Sequence, residues 1–458
     1  MYREDTIAAI ATPPGEGGVA IVRVSGIGAE AIASRIFVRS GGRNGRMESH
    51  KLYHGQIRDP EDGRVVDQVL LTIMRRPRSY SGEDVVEIHC HGGALIVRHV
   101  LGLTLRQGAR QAEAGEFTKR AFLNGRLDLT QAEAVLDLIR ARTDKAAGLA
   151  LEQANGALSR WVGELREQLI DILVQVEAAI DFPEEEIELL RRDELVRKIR
   201  ALSAKIILIS DTYRWGKLFR NGARVCISGR PNVGTSSLLN ALLGEDRVIV
   251  TPVPGTTRDV IEEGISLDGL PVILWDTAGI RQSEDEVERV GIALSRRHVA
   301  RADAVLLVVD GSEELSDDDR ALAAELGDKI VLFVVNKSDL PCRVDQAALS
   351  RCVPQARLEQ VSAKTGNGIA ELKSSLRELL LSGDNQAPIV ITHERHRSAL
   401  RRSAASLDRA GISLSKGFAA EFVAVDLSEA RKALEELTGA IDNDDILERI
   451  FANFCIGK

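Results

Sequence analysis

The sequence predicts a multidomain chain: an N-terminal α+β domain, an all-α helical bundle domain, and an α/β P-loop domain inserted into the bundle. Three observations carry this. Short β-branched runs punctuated by glycine and proline open the chain. A long stretch almost free of proline follows, with apolar residues recurring at i, i+3 and i+4. Buried-strand runs then alternate with helices until a polar linker, after which helical periodicity returns.

Taken in order, "TIAAIATP", "GVAIVRVSG", "VDQVLLTIM" and "DVVEIHC" read as strands, and "GALIVRHVLGLTLRQG" as a helix. They place the α+β domain at residues 1–118. The first helical segment is 119–220. Its stretch 129–180 repeats apolar residues at helical spacing, Thr130 and Glu133 fit a capping box, and a second long pattern covers 193–219. Residues 221–381 form the α/β domain, with "RVCISG", "PVILWDTAG", "AVLLVVDG" and "KIVLFVVNKSD" as buried strands. The linker "SGDNQAPIV" leads into the second helical segment, 382–458, with helical patterns at 393–410 and 427–438.

Composition narrows the possibilities. The 458 residues allow roughly three domains. A net charge of −8 argues against a generic polyanion binder, so any nucleic acid is met through a local patch or a partner. Five scattered cysteines without a C-x-x-C pair point to a reducing compartment. No apolar run approaches a membrane span of about 20 residues. The start runs directly into "DTIAAIATP", with no signal or presequence, so the expected location is cytoplasmic.

The chemistry concentrates in the α/β domain. "GRPNVGTSS" (229–237) lies between a strand and a helix, as a phosphate-binding loop does. It offers Asn232, Val233, Gly234, Thr235, Ser236 and Ser237. The pattern G-x-x-x-x-G-K-[ST] places lysine where Thr235 stands, and Ser236 fills the Mg²⁺-ligand position. "DTAG" (Asp276, Thr277, Ala278, Gly279) ends a strand, with Asp276 placed to hold a Mg²⁺ water and Gly279 to meet a γ-phosphate. "NKSD" ends another. Its Asp339 can accept from guanine N1–H and N2–H₂, with Asn336 and Lys337 beside it, and adenine offers neither donor. Ser362, Ala363 and Lys364 suit the base pocket. "TPVPGTTRD" lies where a switch loop would offer Thr257 to Mg²⁺. Five such elements in order predict a guanine-nucleotide domain.

"PNVG", "TPVPGTTRD", "DTAGIR" and "DEVERVGI" resemble the tRNA-modifying GTPase MnmE (TrmE) family. So do "ATPPGEGGVAIVRVSG", "YSGEDVVEIHCHGG", "FTKRAFLNGRLDLTQAEA" and the terminal "FCIGK". The resemblance covers essentially the whole chain. It implies a potassium-stimulated GTPase that acts in tRNA wobble-uridine modification with the FAD-containing MnmG, as a homodimer joined through its N-terminal, folate-binding domains. It implies K⁺ bound by Asn232 and the loop residues Thr251, Val253 and Thr256, with Gly255 nearby. It also implies that Glu288 orients the attacking water, since Ile280 stands where many GTPases carry glutamine. Without the resemblance Glu288 reads as an exposed helix carboxylate. A 5-formyl- or methylene-tetrahydrofolate would meet Arg23, Glu87, Arg126 and Lys458, with Glu83 the competitor of Glu87. By residue type alone each is a surface ion pair worth little. Cys455 would be a nucleophile or sulfur ligand there, or would simply pack. His89 and His91 alternate along a strand without further ligands, which favours a structural role over a metal. The acidic "PEEEIE" reads as a solvated helix start.

Thr235 departs from the family. One hydroxyl replaces a full charge at the β- and γ-phosphates. The expected loss is about one to three decades in affinity, turnover or both. The rival reading is a GTP-dependent switch or assembly scaffold with little turnover.

Overall fold

A computed structural model describes residues 5–41, 46–181, 192–244, 247–248, 262–276, 298–326, 329–354, 356–382, 387–439 and 444–458. The chain divides into two compact units. One holds residues 1–136, 154–159 and 435–458, the other 137–153 and 160–434.

The first unit is built on a seven-stranded sheet. Its elements are β1 (Ile7–Ile10), β2 (Gly17–Ser25), α1 (Ala29–Ile36), β3 (Phe37–Arg39), β4 (Leu52–Arg58), β5 (Val65–Met74), β6 (Val85–Gly92), α2 (Ala94–Arg106), β7 (Arg110–Gln111) and α3 (Glu116–Leu123). The strand order is β3-β4-β5-β6-β2-β1-β7. Alternation decides which side chains reach the core. Ala20, Val22 and Val24 of β2 and Val86, Ile88 and Cys90 of β6 are buried in one cluster with Ile32, Val97 and Val100 of the helices. Arg23 and Glu87 therefore point to the opposite face. Strand β4 was not anticipated.

Helical periodicity is real, but the long stretch is broken. It forms α4 (Leu129–Arg140), α5 (Asp144–Ala154) and α6 (Ala157–Asp181). Gly156 ends one segment with φ +79°, a conformation that favours glycine. Thr143 accepts from the Ala146 amide at the start of α5. The cap of α4 also differs from expectation. Asp128 accepts from the Gln131 amide at 3.0 Å, and Gln131 accepts from the Asp128 amide at 3.0 Å. The reciprocal box is Asp128–Gln131, and Thr130 gives its hydroxyl to Asp128 instead.

The predicted 193–219 helix is likewise two, α7 (Arg192–Asp211) and α8 (Tyr213–Asn221). Thr212 sits between them. Its hydroxyl donates to the Ile209 carbonyl and accepts from the Ile391 amide. Buried Leu195, Ile199, Leu202, Ile206 and Ile209 make the apolar face of α7.

After α8 the chain enters a second sheet. Its elements are β8 (Ala223–Gly229), α9 (Thr235–Leu243), β9 (Arg247–Val248), β10 (Glu262–Leu267), β11 (Leu270–Asp276), β12 (Ala304–Asp310), α10 (Asp317–Glu325), β13 (Val331–Asn336), α11 (Gln346–Cys352), β14 (Arg357–Gln360) and α12 (Ile369–Leu380). The order is β14-β13-β12-β8-β11-β10-β9, with β8, β11, β12, β13 and β14 parallel. Valines and leucines buried on both faces explain the unbroken apolar runs. Helices α13 (Glu394–Lys416), α14 (Ala420–Thr438) and α15 (Asp444–Phe451) follow. The last was not foreseen. Helix α13 runs antiparallel to α7, as Ser203–Asp408 and Arg401–Asp211 hydrogen bonds show. Among the described residues no helix is long and apolar enough to cross a membrane.

The two connections of the inserted sheet meet at Asp137. Arg220 of α8 donates to it at 2.7 Å, and His393, just before α13, lies at 2.8 Å. Burial works against the Asp137 charge, but His393 and Arg220 outweigh it and hold the carboxyl below its usual 3.8. Its stabilisation is therefore complete above that value and lost as pH falls through the lower folded one. Asp137→Ala removes the acceptor that Arg220 and His393 share and should cost about 3–5 kcal/mol, read as a lowered urea midpoint at pH 7. An unchanged midpoint contradicts this role.

Candidate nucleotide and cofactor sites

The strand register brings the nucleotide motifs together. Gly229 ends β8, Asp276 ends β11 beside it, and Asp310 and Asn336 are paired neighbours at the ends of β12 and β13. Strand β8 lies between β11 and β12, a position where open α/β sheets bind ligands at carboxyl ends. Between β8 and α9 the loop turns with Asn232 at φ +65° and Gly234 at φ +95°. Helix α9 has no side-chain cap, so its first amides stay available to an anion. Ser236 and Ser237 are exposed there, whereas Thr235 is buried.

Asn336 fastens this loop to the base motifs. Its Nδ2 donates to the Val233 carbonyl at 2.9 Å, and its Oδ1 accepts from the Ala363 amide at 3.0 Å. Ser362 donates to Asp339 Oδ1 at 2.7 Å. That hydroxyl, the residue's own amide, and the Lys364 and Lys337 ammoniums hold the Asp339 carboxyl below the ordinary range despite some desolvation. Asp339 is thus an oriented, exposed carboxylate with Oδ2 left for a base edge. Lys337, at φ +63°, gives its ammonium to Asp310. Burial raises the Asp310 carboxyl, but Lys337 and Ser312 prevail and lower it.

Thr251, Val253, Gly255, Thr256, Thr257, Thr277, Ala278, Gly279 and Glu288 lie outside the described residues, as does the Asp276 side chain. Residues not singled out from the sequence also enter: Arg230, Asp310 and Asp319. The Ser316–Asp319 capping box was legible as S-x-x-D, but its pairing with Arg230 spans 89 residues and was not.

The first unit assembles a second group. Arg23 and Glu87 are directly opposite on β2 and β6. Arg23 Nε and Nη2 both contact Glu87 Oε1, at 2.9 and 2.8 Å. Glu87 Oε2 is 3.5 Å from His89 Nε2. The rings of Tyr80 and Phe117 flank the Arg23 guanidinium. The chain's last residues dock beside it. Ile456 bridges to Ala114, the Phe117 amide donates to the Lys458 carbonyl, and Arg23 donates to the Gly457 carbonyl. Burial, and then Arg23, push the Lys458 ammonium below its ordinary value, with Glu87 partly opposing. Cys455 is exposed. In contrast, burial and the Asp67 charge push the Cys90 thiol up to about 11, which leaves it a packing residue.

Arg126 packs against Gly82, which with Asp5, Arg76, Glu83 and Asp84 lines a cavity of about 390 Å³. Glu83 is already engaged. Its Oε1 takes Arg120 at 3.1 Å and its Oε2 takes Ser25 at 2.6 Å. Glu87 keeps one oxygen less committed, so it is the better ligand acceptor of the two. His91 pairs with Asp67, and among the described residues no three His, Cys, Asp or Glu side chains gather as a metal site.

Comparison with known proteins agrees with this layout. The description "GTP-binding protein TrmE N-terminus" matches residues 6–126, and "MnmE helical domain" matches 129–455. The chain is 49% identical to a tRNA modification GTPase MnmE of Syntrophotalea carbinolica, covering 100% of both chains. It is 48% identical to that of Geobacter sulfurreducens, again over 100% of each.

Thr235 sits at the first position of α9, and two cations close to the motifs, Arg230 and Lys337, are held by Asp319 and Asp310. Thr235→Lys should therefore tighten GTP binding and raise turnover, together by about one to three decades. Nucleotide titration and steady-state hydrolysis test this, and unchanged values in both would show that the charge is not what limits the site.

Proposed function

This chain belongs to the MnmE family of tRNA modification GTPases, and we propose that it hydrolyses GTP while helping to modify carbon 5 of the tRNA wobble uridine. The observation that carries the nucleotide half is Asp339, oriented by Ser362 and joined through the Asn336 motif to the phosphate loop. A carboxylate at that place accepts from guanine N1–H and N2–H₂, and adenine offers neither donor. In this reading Ser236 and Thr257 hold Mg²⁺. Asn232, Thr251, Val253 and Thr256 hold K⁺, and Glu288 orients water. Mg²⁺ and K⁺ supply charge at the phosphates, where Thr235 supplies none.

The second half is one-carbon chemistry. A tetrahydrofolate, 5-formyl or methylene, would donate the carbon. Arg23 and Lys458 suit its carboxylates or carbonyl groups, and Glu87 Oε2 suits a pterin N–H. Arg126, packed at Gly82, would meet another part of the ligand. The exposed Cys455 thiol is available as nucleophile or sulfur ligand. A homodimer joined through the N-terminal domains, and the FAD-containing MnmG as redox partner with tRNA as substrate, complete the reading. Family membership supports these partners.

Thr235 favours a second reading, a GTP-dependent switch or assembly scaffold with little turnover. Steady-state GTP hydrolysis with and without K⁺ separates the two. K⁺-stimulated turnover supports the enzyme, and nucleotide binding without turnover supports the scaffold. Modified-nucleoside analysis of tRNA from cells lacking this chain tests the pathway assignment, with loss of the carbon-5 modification as the expected result.

Deleting residues 455–458 removes Lys458 and the docked tail while leaving the other unit intact. Affinity for 5-formyl-tetrahydrofolate should fall about tenfold or more, the loss expected of a charge-assisted contact. GDP affinity should stay unchanged. Equal folate affinity together with unchanged tRNA modification would show that the tail only packs.

A further inference from the structure

One stretch of chain, from the end of β12 to the start of α10, is tied by ion pairs to both halves of the nucleotide site. Asp310 ends β12. Its Oδ2 takes the Lys337 ammonium, and its Oδ1 accepts from the Ser312 amide at 2.9 Å and hydroxyl at 2.7 Å. Asp319 lies in the first turn of α10. Its Oδ2 accepts from the Ser316 amide at 3.1 Å and hydroxyl at 2.8 Å. Its Oδ1 accepts from Arg230 Nε at 2.8 Å, and Arg230 is the first residue of the phosphate loop. Glu313 adds a contact to Arg230 at 3.3 Å. Both aspartates are nearly fully buried.

The two carboxylates are built alike: one oxygen serves the local backbone and hydroxyl, the other a cation from a ligand-binding loop. Charge-assisted bonds of this kind, removed from water, fix geometry. Between them, the Gly311 amide donates to the Asn336 carbonyl at 2.8 Å, and a Cβ on Gly311 would come within 2.8 Å of that oxygen. The stretch therefore lies directly on the base motif. Lys337 adopts φ +63°, which a lysine rarely does, so its placement relies on its partner.

We propose that Asp310 and Asp319 are positioning residues that divide the site: Asp310 sets base recognition through Lys337, and Asp319 sets the phosphate loop through Arg230. This rests on the guanine-nucleotide reading above. Neither carboxylate needs to touch nucleotide.

The test measures affinities of the full chain for GDP, ADP and GTP, and kcat for GTP, in Asp310→Asn, Asp319→Asn, Arg230→Ala and Arg230→Lys. Asp310→Asn should lower the GDP-over-ADP preference about tenfold and leave the GTP-to-GDP affinity ratio unchanged. Asp319→Asn and Arg230→Ala should change the GTP-to-GDP ratio or kcat about tenfold and keep the base preference, with Arg230→Lys restoring most of the loss. Ser312→Ala, which removes one bond to Asp310, replaces Asp310→Asn if that variant melts early, with a smaller shift of the same kind. Arg230→Lys stands in the same way for the other branch, with a smaller shift in the GTP-to-GDP ratio or kcat. Uniform weakening of all three nucleotides in both branches, or no change in either, overturns the proposal. A parent chain without GDP preference overturns instead the reading on which it rests.

Discussion

The nucleotide half of this chain depends on one buried amide. Asn336 is 2% exposed, so each polar atom on it must find a partner inside the protein. It does so by holding Val233 of the phosphate loop and Ala363 of the base loop, while its carbonyl receives Gly311. Three loops from separate crossovers are thereby fixed to one strand end. The fit admits little change. A Cβ on Gly234 would lie 2.4 Å from Asn336 Nδ2, and Gly234 has φ +95°, so two independent constraints require glycine there.

Because the scaffold comes from backbone and buried amide contacts, it does not need the missing lysine to form. The loss at Thr235 is a loss of charge at the phosphates. Two described cations by the phosphate loop and the base motif are already neutralised, Arg230 by Asp319 and Lys337 by Asp310. A pre-shaped but undercharged phosphate site follows, which explains why metal ions carry more of the burden in the proposed reaction. The first unit solves its own problem differently. Its end-of-chain residues are held by a β-bridge and by Arg23, and this brings Lys458 beside Glu87.

What was legible in the sequence follows from how local the signal is. The phosphate loop, "NKSD" and "SAK" are readable because spacing and strand context lie within a few residues, and they lie at adjoining strand ends. The alternation that puts Arg23 and Glu87 on one face was equally readable, but their direct opposition depends on β2 pairing with β6. Helical periodicity gave the helices but not their breaks. Thr212 interrupts a periodic stretch by bonding to Ile391, 179 residues away. The cap of α4 was misplaced because two overlapping patterns compete. Thr130–Glu133 and Asp128–Gln131 both satisfy the spacing, and helix entry geometry selects the second. Arg126 is readable as a motif residue, but its packing at Gly82, 44 positions away, is not a local signal.

Base recognition in this chain is pre-formed and does not depend on the absent lysine. The most direct measurement is calorimetric titration of the unmodified chain with GDP and with ADP, in Mg²⁺ and K⁺. GDP should bind at least about 10²-fold more tightly, because guanine offers Asp339 the N1–H and N2–H₂ donors that adenine lacks. Equal affinity for the two nucleotides would contradict it.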